Sequence, residues 1–160
     1  MDNKPDDSLK PALRVHELPE DKSAQQQFID RAEEDLVCAV SLYRRGACGY
    51  SPLVTVCFLL HQALEKWLKL LIAVQGLKIS TNGQHDLYPR FTALEGLIPD
   101  LGRIRKEIET VDEKILTHRF PGDLRYNETP ADIERYVNVL LRAAVEVRRI
   151  VKRYLKEEAS

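Results

Sequence analysis

The chain predicts an all-α protein, an up-and-down antiparallel helical bundle of four main helices with one short extra helix. Three observations carry that prediction. Apolar residues recur at steps of three and four along several stretches, and glycine, proline and capping residues fall where those stretches end. No stretch alternates apolar and polar residues over a useful length, so no strand is expected. The 160 residues, 44% hydrophobic and 31% charged, fit one globular domain. Folding at that length buries roughly 70% of the unfolded chain's surface, enough for a core without disulfides.

Taken in order, residues 1 to 22 are polar, proline-bearing and aperiodic, and read as a mobile N-terminal arm ahead of a helical domain spanning 23 to 158. Ser23 followed by Gln26 has the spacing of a capping box. Phe28, Ala32, Leu36, Ala39, Val40 and Tyr43 then mark one face of a first helix that ends near Gly46. Ser51 and Pro52 signal the start of a second helix reaching Gly76, about 37 Å long at 1.5 Å per residue. It carries two apolar seams. One holds Leu53, Val56, Leu60, Ala63, Trp67, Leu70 and Val74, and the other Val54, Cys57, His61, Leu64, Leu68 and Leu71. A single neighbour needs one stripe, so this helix is expected at the centre with cover on two sides.

A turn around Asn82 and Gly83 leads to a short helix over Asp86 to Leu97, ahead of Pro99. Leu101, Ile104, Ile108, Val111 and Ile115 extend the same periodicity to about Thr117, as a separate helix or a kinked continuation. The stretch from His118 to Glu128, with Pro121 and Gly122, is the one substantial internal loop expected. Thr129 and Pro130 then open the last helix, whose seam runs through Ile133, Val137, Leu140, Ala144, Val147, Val151 and Tyr154.

Charge and cysteine content exclude several functions. Lysine and arginine number 24 against 25 acidic residues, so no general nucleic-acid binding is expected. Cys38, Cys48 and Cys57 show no Cys-x-x-Cys spacing and read as free thiols of a cytoplasmic protein. Four separated histidines give no metal-site pattern, and no cofactor is expected. His61, Glu65, Lys66 and Lys69 cut the longest apolar run, so no membrane span is expected.

The run Phe58, Leu59, Leu60, His61, Gln62, Ala63, Leu64, Glu65, Lys66, Trp67, Leu68, Lys69 resembles the Gln-Ala-x-Glu-Lys-x-Leu-Lys signature of HEPN (higher eukaryotes and prokaryotes nucleotide-binding) domains. His85, Asp86, Leu87 resembles the family's His-x-Leu opening of helix three, and Arg119, Phe120, Pro121 its Arg-Tyr-Pro loop before the last helix. The resemblance implies a helical bundle of the minimal, single-domain type. It further implies a homodimeric binding and regulatory module acting with a separate nucleotidyltransferase partner in a two-gene, toxin-antitoxin-like system.

The RNA-cleaving members implied by the same resemblance carry an arginine followed, after four to six residues, by histidine. That spacing is missing here: Arg105 lies too far before His118, and no histidine follows Arg119 or Arg125. An RNase needs a group that takes the 2′-hydroxyl proton and a cation at the phosphorane. The alternatives to the binding module are an RNase toxin with a non-standard active site and a purely structural dimer.

Each candidate residue has two readings. His61 on its apolar seam is a hydrogen-bonded interior histidine or a ligand group. Glu65 and Lys69 are a helix-stabilising i,i+4 pair or part of a site. His85 opens the next helix or contacts a ligand. His118, Arg119, Arg125 and Tyr126 gather at the last helix's N-terminus, where they suit a nucleotide or phosphate. Against this, Arg119 is equally suited to tying the loop to Glu65 or Asp86. The cations Arg135, Arg142, Arg149 and Lys156, spaced by seven, form a phosphate track or a solvated face, since Glu134, Glu146, Glu157 and Glu158 interrupt them.

Overall fold

The computed structural model describes residues 18–19, 21–46, 48–77, 87–115 and 129–158. Among these the chain forms five α-helices and one 3-10 helix, with no strand. They are α1 (Lys22–Arg44), α2 (Tyr50–Val74), α3 (Leu87–Glu95), the 3-10 helix (Pro99–Ile104), α4 (Arg105–Ile115) and α5 (Pro130–Glu158).

The first cap is Asp21 and not the Ser23 box. Its Oδ1 accepts from the Ala24 amide at 2.7 Å, and a carboxylate also suits the positive end of the helix. Gln26, freed from that role, donates to Asp30 at 2.8 Å. Leu18 packs against the core, and the Pro19 carbonyl accepts from Gln25 Nε2 at 3.2 Å.

The second helix likewise starts ahead of Ser51. Gly49, at φ +88°, is its cap, in a backbone region that suits glycine, and Pro52 sits within the first turn. Its far end closes as expected at Gly76. That residue adopts φ +65°, its amide reaches the Ala73 carbonyl at 3.0 Å, and the Leu77 amide reaches Ile72 at 3.1 Å. These two bonds satisfy carbonyls that a helix end leaves over.

The third segment stops at Glu95, short of Leu97. Leu97 and Ile98 turn back onto the Leu94 carbonyl, and the chain re-enters helix through the 3-10 turn that Pro99 begins. The kinked continuation is therefore a 3-10 helix running into α4. At α5 the cap is reciprocal. Thr129 Oγ1 accepts from the Asp132 amide at 3.2 Å while Asp132 accepts from the Thr129 amide at 3.0 Å.

Side-chain ties fix the directions. Lys66 on α2 meets Asp35 on α1, and Tyr43 and Glu33 of α1 meet Glu134 and Arg148 of α5, so α1 runs antiparallel to both. Cys57 near the start of α2 lies against the Ile133 carbonyl near the start of α5, so these two run the same way. The 3-10 helix and α4 return between them, with Asp100 level with Arg153, which completes up-down-up-down order.

Both seams of α2 are buried apart from Val74, which is half-buried. Their cover comes from α1, α5 and α3 of the same chain. No second chain is needed to explain the second seam. Trp67 is 1% exposed at the centre of the core, and Tyr154 packs at its edge.

Candidate functional site

His61, Glu65 and Lys69 repeat every fourth residue, so one face of α2 presents all three in a column. Each is 2% exposed. Lys69 Nζ donates to Glu65 Oε1 at 2.8 Å, within one helix turn. Arg90 of α3 is also buried, and its charge acts on both partners. Burial alone would raise the Glu65 carboxyl, but Lys69, Arg90 and His61 outweigh it and hold the group below its ordinary range. Burial pushes the Lys69 ammonium down, and Glu65 only partly restores it against Arg90 and Lys66.

Next to this column Lys66 crosses to α1, where its Nζ meets Asp35 at 2.6 Å. The charged residues of the α2 signature thus hold neighbouring elements together: Lys66 ties α2 to α1, while Glu65 and Lys69 face Arg90 of α3. Such a cluster can orient backbone and side chains. Its groups are too enclosed to meet a macromolecular substrate directly.

Arg105, the arginine that precedes His118 in the chain, is bound at the start of α4. Its Nε donates to Glu95 at 3.0 Å, a second bond from Nη2 reaches the same carboxylate, and Nη1 donates to Glu109 at 3.2 Å and to Tyr88 at 3.5 Å. Its guanidinium also stands 5.8 Å from the Phe91 ring centroid. Glu95, Glu109 and Tyr88 together raise its pKa, fixing it as a cation.

The cations of α5 are distributed among acids. Arg135 pairs with Asp132, Arg149 with Glu146 at 2.6 Å, Arg148 with Glu33 at 2.5 Å, and Arg153 with Asp100 at 2.6 Å. Of the seven-residue line, Arg135 and Arg149 thus bond acids of α5 itself, while the ties to α1 and the 3-10 helix come from Arg148 and Arg153 beside it.

His85, His118, Arg119, Arg125 and Tyr126 lie outside the described residues, as does the expected loop from His118 to Glu128. Among the described residues no cluster of histidine, cysteine, aspartate or glutamate could hold a metal ion, and no helix is long and apolar enough to cross a membrane. Cys38 and Cys48 are exposed and Cys57 is buried, and none of the three is in a disulfide.

Sequence reasoning missed Arg90, Asp35 and the anchoring of Arg105. Arg90 had a signal: it stands three residues after Leu87 and beside Phe91 in the apolar stripe of a short helix. Asp35 had none, because only the packing of α1 on α2 brings it to Lys66.

No curated protein and no solved structure matches the chain. The family model for the HEPN domain matches residues 25–154, from the first turns of α1 almost to the end of α5. That match takes in the buried Glu65 and Lys69 signature, the anchored Arg105 and both long outer helices, and the chain belongs to the HEPN domain family.

Proposed function

We propose that this HEPN domain is a homodimeric binding and regulatory module that acts beside a separately encoded nucleotidyltransferase, in a two-gene, toxin-antitoxin-like arrangement, and that it is not an RNase. The observation that carries the reading is the engagement of Arg105. An arginine committed to Glu95, Glu109 and the Phe91 ring is poorly placed to serve a developing phosphorane, and its distance in sequence from His118 departs from the family's nuclease spacing. The enclosed Glu65 and Lys69 pair supports the same reading, because groups that are 2% exposed cannot accept a proton from a bulky substrate without opening the bundle.

The contact point proposed for a phosphate-bearing ligand or an acidic partner is the segment holding His118, Arg119, Arg125 and Tyr126, by its composition and its place before α5. Calorimetric titration of the purified protein with a small nucleotidyltransferase encoded beside it is the direct test. Saturable binding is expected, weakened by Arg119→Ala with an unchanged thermal midpoint. Destabilisation with undiminished binding would assign Arg119 to the scaffold. Metal-free incubation with structured and single-stranded RNA should leave both intact, whereas cleavage abolished by His118→Ala would establish the nuclease.

A further inference from the structure

Between α1 and α5 the molecule leaves an open apolar groove floored by α2. Val56 and Leu60 form the floor, Val40 and Tyr43 one wall, and Leu141 and Val145 the other. Its volume, about 240 Å³, is below the usual range of small-molecule sites and suits side chains inserted from a facing helix. The two walls are tied by Tyr43 Oη to Glu134 at 3.0 Å at one end and by Arg148 to Glu33 at 2.5 Å at the other. Val145, 53% exposed, lines the opening from α5, and Val37, 60% exposed, stands on α1 one turn before the groove-lining Val40. Exposed aliphatic side chains continuous with an apolar groove enlarge it into a patch of the kind that marks a protein interface.

Charge identifies the occupant. From 142 to 156, α5 carries six lysines and arginines against one acid, Glu146, and Arg148, Arg149, Lys152 and Lys156 lie around the exposed Val145. Of the four acids from 30 to 35 on α1, Asp35 is tied to Lys66 of α2 and Glu33 to Arg148 of the same chain, so Asp30 and Glu34, both exposed, are the acids offered to a second copy. Glu33 lies level with Arg148, and Tyr43 with Glu134, so the acidic stretch of α1 and the cationic stretch of α5 stand side by side along the groove. A two-fold axis along the groove exchanges its sides. It lays the α1 of a second copy over α5 at the same level, so acids meet cations and Val37 of one copy approaches Val145 of the other. An isologous interface requires a surface complementary to itself in this sense.

We propose that the α1–α5 face is the interface through which two copies of this chain pair, closing the groove with Val37 and Val145 at its centre. The proposal rests on the homodimer reading above and specifies its surface. It differs from pairing through the second seam of α2, which α3 and α5 already help to cover.

The test compares the full-length protein with Val37→Glu and Val145→Glu by sedimentation equilibrium and circular dichroism. Both residues are exposed, so the variants should keep the parent helix content. The parent is expected at twice 18.4 kDa, and each variant should raise the dimer dissociation constant by about thirtyfold or more. With Cys38→Ser and Cys48→Ser in place, a mixture of Val37→Cys and Val145→Cys chains should cross-link through a short bismaleimide. A monomeric parent overturns both the interface and the homodimer reading. A dimer untouched by either variant, or one that does not cross-link, overturns this interface alone. A monomeric parent whose binding to a nucleotidyltransferase is lost in Val145→Glu would give the groove to another protein.

Discussion

At the scale of the residue, the decisive feature is a charged pair placed where water cannot reach it. Glu65 and Lys69 satisfy each other, and removing one partner leaves the other ionised in the core. Lys69→Ala should therefore cost about 3–5 kcal/mol, while Glu65→Leu with Lys69→Met should recover most of that loss. Denaturant unfolding of the three proteins measures it, and a double variant no better than the single one would show that Arg90 depends on Glu65. The pair also has a pH signature. Because the folded state holds the Glu65 carboxyl below its ordinary value, the unfolded chain binds more protons at acid pH, and the stabilisation is lost as pH falls below about 4.3. The gap in thermal midpoint between the parent and Glu65→Gln should accordingly be widest near neutrality and shrink on acidification. A gap that is constant with pH would mean that Glu65 acts by shape alone.

At the scale of the element, the ends of α1 and α2 proved more readable than their starts. Gly76 closes α2 where a glycine after the last apolar residue places it, and its positive φ explains why. Nothing lies within 4 Å of an added Cβ, so Gly76→Ala meets no steric neighbour and should cost about 1 kcal/mol from backbone conformation alone. A thermal melt that does not shift would mean the αL turn had rearranged. Those two starts moved because several residues in a row could cap, and a cap is chosen by where the preceding chain comes from. Asp21 prevailed over Ser23, and Gly49 over Ser51, in both cases upstream of the first apolar residue. The periodic face itself is robust. Trp67 falls between Ala63 and Leu70 on one seam and is enclosed, so Trp67→Ala should cost about 3–5 kcal/mol. An unchanged midpoint in calorimetry would contradict the packing described.

At the scale of the molecule, one continuous core links α1, α2, α3, α4 and α5, and the single tryptophan sits inside it. Unfolding followed by Trp67 fluorescence and by far-ultraviolet dichroism should coincide, since a single core has no part that melts alone. Two separated transitions would divide the bundle. The all-α class, the helix count and the central place of the second helix were all determined by sequence, because apolar periodicity is a local property that any neighbour must satisfy. So was the membership suggested by Glu65, Lys66 and Lys69 in their fixed order, which the family match over residues 25–154 establishes. Tertiary structure alone decided which partners those charges take. Lys66 finds Asp35 on another helix, Glu65 and Lys69 find each other beside Arg90, and Arg105 is bound by Glu95 from across a turn. It also decided that α2's second seam is covered from within the chain while the α1–α5 groove stays open. A helix's own sequence specifies which of its faces must be buried, but the identity of the covering neighbour depends on side chains brought together from distant parts of the chain.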